Sequence, residues 1–204
     1  MKRFIIGLLA LTMAFACHRP ASRNFSADEI SLIRQADSIM KVLTIEDSLD
    51  LAVLRAVSTD MSAEVLLSDD FSRLSELMVA TVTHPSQDGV GIAGPQVGLN
   101  RRVVAVQRFD KEGEPFEVYP NIRIVCLSDS TAYGAEGCLS VPDMRADVLR
   151  SQEVVVEYAD MEALRSEGSR REIPVRRDTI SGFTAVIFQH EIDHLEGILY
   201  IDRL

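Results

Sequence analysis

An α+β fold, with antiparallel β-strands packed around a C-terminal metal-binding helix, is what three features of the sequence predict. The first is Gln189-His190-Glu191-Ile192-Asp193-His194, where two imidazoles stand four residues apart in an apolar run of helical period. The second is a series of short β-rich runs between Arg101 and Val175, separated by turn residues such as Gly113, Pro115, Gly134 and Gly168. Short spacings without intervening helices imply antiparallel pairing. The third is size: 204 residues, 47% hydrophobic and 25% charged, suffice for one substantial core and lack the bias of disordered or fibrous chains. A formal charge of −10, no Trp and no basic run after the first three residues argue against a nucleic-acid groove.

Met1-Lys2-Arg3 opens the chain with a short basic segment, and Phe4 to Ala16 is an uncharged, mostly apolar run of 13 residues ending in Ala14-Phe15-Ala16. That is the pattern of an export signal, too short to span a bilayer as a mature helix. Cys17 resembles the acceptor cysteine of a bacterial lipoprotein, with cleavage to a free Cys17 as the alternative. Removal of residues 1–16 takes away Lys2 and Arg3, giving a mature charge of 19 − 31 = −12. His18 to Asn24 reads as a tether. Ser26-Ala27-Asp28-Glu29 fits a capping box that opens an amphipathic helix to about Leu43. These segments divide the chain into a signal over 1–16, a tether with an N-terminal helix over 17–48, and a catalytic domain over 49–204.

A second helix is expected from Asp69 to Thr83, where Phe71, Leu74, Leu77 and Met78 recur at helical spacing and His84-Pro85 ends the run. Four glycines between Gly89 and Gly98 then mark backbone that is closely approached or sharply bent. A phosphate-binding loop is excluded there by the missing Gly-Lys-Ser/Thr and the lack of a preceding strand. Strands are expected at Val103–Val106, Phe116–Tyr119, Ile122–Leu127, Ala146–Leu149, Val154–Tyr158 and Glu172–Val175. Cys126, inside one of them, reads as a small buried residue.

Positions i and i+4 share one face of a helix, so His190 and His194 can bind one metal ion with Glu191 beside it as a proton carrier. The thiol of Cys138, in Glu136-Gly137-Cys138-Leu139-Ser140, is the natural third ligand. Asp193 lies between the histidines, off their face, and reads as a supporting residue.

Gly89–Gln96, Glu136–Ser140 and Gln189–His194 together resemble the three signature motifs of the peptide deformylases, and the likeness extends from about Leu51 to Leu204. Gly94, where the family usually has Ala, and Tyr119-Pro120-Asn121, in place of the usual Asn-Pro pair, are the departures. The resemblance implies hydrolysis of the N-formyl group of formyl-methionyl peptides, with Glu191 as proton carrier and the Gln96 amide and Leu139 N–H as oxyanion donors. It also implies a methionine pocket built from Val90, Gly91, Phe183, Val186 and Ile187, and ferrous iron at Cys138, His190 and His194, with zinc or nickel able to occupy the same ligands. The chain is taken to act as a monomer, membrane-anchored if Cys17 is acylated. Its expected place is outside the cytoplasmic membrane, or in the cytoplasm if the signal is unused. The rival is an exported metallo-amidase or peptidase of the His-Glu-x-x-His type, but position 200 is Tyr where a third histidine would stand.

Overall fold

The computed structural model describes residues 23–87, 89–167 and 172–204. The signal, Cys17 and His18 lie outside them. Six helices are present among the described residues: α1 (Ala27–Gln35), α2 (Ser48–Leu54), α3 (Ala63–Leu66), α4 (Asp69–Val82), α5 (Met161–Glu167) and α6 (Gly182–Leu195). Polar caps start four of them. Ser26, Asp47, Ser62 and Ser68 each accept hydrogen bonds from first-turn amides of α1, α2, α3 and α4, and Glu29 completes a capping box with Ser26.

Eight strands among the described residues form three sheets: β1 (Gly91–Ala93), β2 (Val103–Gln107) and β3 (Phe116–Pro120); β4 (Arg123–Leu127), β7 (Glu153–Ala159) and β8 (Val175–Ser181); and the long hairpin β5 (Thr131–Cys138) with β6 (Val141–Ser151). Every pairing between these strands is antiparallel, as the sequence predicts, and an isolated bridge, Thr59 with Arg101, is parallel. Helix α6 runs through the middle. Its Ile187, Phe188, Ile192 and Leu195 pack with Val104 and Val106 of β2, Val154 and Val156 of β7, and Ile180 of β8. A helix surrounded in this way is apolar nearly all round. Its few polar groups are therefore buried with it, and each needs a partner. Gln189 finds one at the end of β6, accepting from Ser151 N–H (3.1 Å) and donating to Ser151 C=O (2.8 Å), which fixes the helix against the hairpin. A second core joins α1 and α4 to β1 and β2 through Ile33, Leu74, Met78, Ile92 and Val103.

The sequence reading needs correction in four places. Helix α1 stops at Gln35, not Leu43, because the amides beyond it have tertiary partners: Met40 N–H donates to Thr81 Oγ1, Leu43 N–H to Gln96 C=O and Ile45 N–H to Ser140 C=O. The last strand runs over Val175–Ser181, beyond the expected Glu172–Val175, because Val175, Arg176 and Arg177 are exposed in succession and hide the period. Cys126 is exposed; a register shift between Ile124 and Cys126 disturbs the alternation from which burial was expected. Strands β1 and β5 and helices α2, α3 and α5 escaped notice: the three helices are 7, 4 and 7 residues long, β1 has only 3, and β5 is exposed along most of its length.

Candidate active site

The site forms where α6 passes the turn between β5 and β6. Strand β5 delivers Cys138 at its end, and the Sγ lies 3.2 Å from His194 Nε2. One donor atom from each of Cys138, His190 and His194 falls within 4.8 Å of the others. Two nitrogens and one sulfur in that space suit a divalent transition metal such as iron or zinc, with a further position left open. Burial, reinforced by the positive charges of His190, Arg150 and Arg55, holds the His194 ring well below its ordinary pKa, so its lone pair is available.

His190 is aimed from behind. Glu136, two residues before Cys138 on β5, meets His190 Nδ1 at 2.7 Å and leaves Nε2 facing the site. Arg150 on β6 donates to both Glu136 oxygens, at 2.7 and 3.0 Å, and to Asp193 Oδ2 at 2.6 Å. Arg203 closes the chain on Asp193, 2.5 Å from Nε to Oδ2. Burial alone would raise the Glu136 carboxyl, but its bonds to His190 and Arg150 hold it at about 2. Asp193 thus supports the helix through arginines, in keeping with its position off the histidine face. Glu136 and Arg150 were not singled out from sequence. Glu136 stands in the quoted motif and alternates with Cys138 along the strand; Arg150 carries no local signal.

Glu191 is 4% exposed, and its Oε2 has no hydrogen-bond partner among the described residues. Burial pushes this carboxyl up to about 7, against the opposing charge of His190. A carboxylate poised near neutrality, with one oxygen free to meet a water, is suited to general acid–base work. Its place depends on Gly91: a Cβ there would lie 2.4 Å from Glu191 Oε1. The close approach expected at the glycine-rich segment is therefore made by a side chain of α6.

Gln96 sits in a short 3-10 turn, Gly94–Val97, and is 1% exposed. Ala93 N–H donates to its Oε1 at 2.9 Å, which orients the NH2 toward Ser140 Oγ (3.2 Å) and Cys138 Sγ (3.6 Å). Ser140, without assigned chemistry in the sequence, is fully buried and acts as this amide's partner. Leu139 is half-buried in the turn directly after Cys138. Among the expected pocket residues, Val90 and Val186 are half-buried, and Phe183 is 56% exposed with its ring 5.3 Å from Phe109. Ile187 is buried in the core cluster against which Val90 and Phe109 pack. Phe109, two residues past the end of β2, is an additional apolar neighbour that the sequence did not reveal.

Comparison with known proteins agrees with this geometry. The polypeptide deformylase family model matches residues 39–204, starting ten residues before the boundary drawn from sequence. Peptide deformylase 2 of Vibrio cholerae is 40% identical over 167 residues, which cover 82% of this chain and 87% of that protein. Peptide deformylase 2 of Gloeobacter violaceus is 38% identical over 154 residues, 74% of each chain. The actinonin-bound crystal structure of the class I type b peptide deformylase from Acinetobacter baumannii superposes with a TM-score of 0.68 at 32% identity, covering 82% of this chain and 99% of that one. The same enzyme has also been solved with Met-Ala-Ser bound. With its fold, its Cys-His-His donors and its matched length all in accord, this chain belongs to the polypeptide deformylase family.

Proposed function

We infer that the chain is a peptide deformylase, hydrolysing the amide between a formyl group and the N-terminal methionine of a peptide to release formate. The observation that carries this reading is the orphaned carboxylate oxygen of Glu191 beside the Cys138-His190-His194 donor set. Those three residues would hold a divalent ion, which when bound lowers the pKa of a water toward neutral. Glu191 takes the proton of the attacking water and passes it to the leaving amine. Gln96 Nε2, fixed through its Oε1, and the Leu139 N–H stabilise the oxyanion that develops on the formyl oxygen; each is worth ~3 kcal/mol. Val90, Phe183 and Val186 offer an apolar wall for the methionine side chain, with Gly91 and Ile187 behind it.

Ferrous iron is the metal we propose, on family resemblance, since a His2Cys set accepts zinc and nickel as well. The place of action is also proposed from sequence: basic start, 13-residue apolar run, Ala-x-Ala and Cys17 in that order support export and anchoring, with formylated peptides outside the cytoplasmic membrane as substrates. No helix among the described residues is long and apolar enough to cross a membrane; the anchor proposed here is lipid at Cys17. A formate-release assay on a formyl-Met peptide, with metal content measured on the same sample, tests the activity. Absence of formate release from iron-loaded protein would refute it. Membrane fractionation of the native protein against Cys17→Ala tests the anchoring.

A further inference from the structure

Helix α1 precedes the region that matches the family model, which begins at residue 39. It is nevertheless fastened to the loop that carries Gln96. Glu29 accepts a bidentate pair from Arg101, 2.6 Å to Nε and 2.7 Å to Nη2, with the two side chains only 17% and 7% exposed. Arg101 also donates to Asn24 C=O at 2.7 Å and to Thr59 Oγ1 at 3.1 Å, and its guanidinium lies 5.8 Å from the Phe25 ring centroid. One side chain thereby gathers both the approach to α1 and its first turn.

The backbone of Arg101 is the back wall of the catalytic turn. A Cβ on Gly94 would stand 2.6 Å from Arg101 C=O and 2.8 Å from Leu99 C=O, so the two segments touch with no side chain between them. Gly94 is two residues before Gln96 and accepts from Leu99 N–H at 2.9 Å. Leu32 of α1 reaches the other end of the same turn, its Cδ2 3.1 Å from where a Cβ of Gly98 would be, and Gly98 holds a φ of +87° that favours glycine. After α1 the chain returns to the turn once more, where Leu43 N–H donates to Gln96 C=O at 2.8 Å. The Gln96 turn is thus held at Gly94 through Arg101, at Gly98 through Leu32 and at its own carbonyl through Leu43.

Resting on the deformylase reading above, we propose that Glu29 and Arg101 are positioning residues for Gln96, through which the N-terminal helix braces the oxyanion donor. Oxyanion donors act only when preorganised. A loosened turn lets the Gln96 NH2 drift and lowers turnover, while metal binding at Cys138, His190 and His194, on other elements, is retained.

The test compares Glu29→Gln with Arg34→Met, which breaks the exposed pair Arg34–Asp70 on the same helix away from the turn. Glu29→Gln should lower kcat on a formyl-Met peptide about tenfold, with metal content unchanged, because a small misplacement of a catalytic group is costly. Arg34→Met should match the wild type. In a Gln96→Ala background, Glu29→Gln should change kcat by less than about twofold, since residues acting as a unit are not additive. Amide hydrogen exchange provides a readout independent of activity: Glu29→Gln should speed exchange of Gly98 and Leu99 about tenfold without a global increase, and Arg34→Met should not. Unchanged exchange and kcat in Glu29→Gln, or an equal loss in the Gln96→Ala background, would overturn the proposal. Wild-type protein that releases no formate yet shows the exchange difference would refute the deformylase reading and leave the brace standing.

Discussion

Arg150 lies between two buried carboxylates, and replacing it with Met isolates what that position contributes. The residue is 4% exposed, Glu136 7% and Asp193 7%. In Arg150→Met, Asp193 keeps Arg203, whereas Glu136 keeps only His190. Breaking one partner out of a buried pair costs about 3–5 kcal/mol. The depressed Glu136 carboxyl gives a smaller figure: a fall from 4.5 to about 2 corresponds to about 3 kcal/mol, shared between Arg150 and His190. The Glu136 figure is particular to this site and the larger one holds for buried pairs in general, so the expected loss is about 2–4 kcal/mol. Urea unfolding of the chelated protein measures it without the stabilisation that bound metal adds. The double variant Glu136→Gln/Arg150→Met should recover at least ~1 kcal/mol of that loss, because the amide removes the stranded charge. A single variant less than about 1 kcal/mol below wild type, or a double variant no better than the single, would show that Glu136 does not depend on Arg150.

Glu191→Gln should keep the metal and lose about 10²–10⁴ in kcat, as an amide cannot carry the proton; wild-type-like turnover would remove Glu191 from the mechanism. In Gly91→Ala the added methyl collides with Glu191 Oε1, so kcat should fall at least about tenfold with metal content intact, and full activity would show that Glu191 has another productive position. Cys138→Ser should lose metal on dialysis against a mild chelator, since a hydroxyl is a far poorer ligand than a thiolate; retained stoichiometric metal would exclude Cys138 from the site. Burial alone would raise the Glu29 carboxyl, but bonds from Arg101 and Ser26 hold it below 4.5, so its contribution to stability is complete above 4.5 and is lost as pH falls through the lower folded-state value. Midpoints of urea unfolding for wild type and Glu29→Gln should therefore converge as pH falls below 4.5, and a constant gap would assign the difference to something other than this carboxyl.

The metal donors and Glu191 could be read from sequence because helical spacing turns His-x-x-x-His directly into geometry, and Cys138 stood out as the thiol of the Glu136–Ser140 stretch. The groups that hold them could not. Glu136 reaches His190 across 54 positions of chain, and Arg150 joins two elements by a contact that no local pattern encodes. The same limit explains the overlong N-terminal helix. Periodicity at Met40 and Leu43 is real, and both side chains are buried, but their amides are claimed by Thr81 and Gln96, partners that lie in other segments. Cys126 failed for a different reason: alternation predicts burial only where the pairing register is unbroken.

The charges around the site also bear on what it can hold. Behind the histidines, Glu136 and Asp193 are matched by Arg150 and Arg203, two negative charges against two positive, so this layer is neutral by itself. In front of it lie the Cys138 thiol, deprotonated when it ligates, and Glu191, which is ionised before it takes a proton and neutral after. With both histidines neutral as ligands and Glu191 in the ionised form that acts as base, those two groups sum to −2 in a buried space. A divalent cation brings the sum to zero, a monovalent one would leave a buried negative charge, and a trivalent one would leave a positive charge that holds Glu191 ionised and weakens it as a base. The supporting layer thus fixes more than ring orientation. By cancelling its own charge it leaves the choice of metal valence to Cys138 and Glu191, so that Glu191→Gln, which removes one of the two, should relax discrimination against a monovalent ion such as Cu(I) relative to a divalent one.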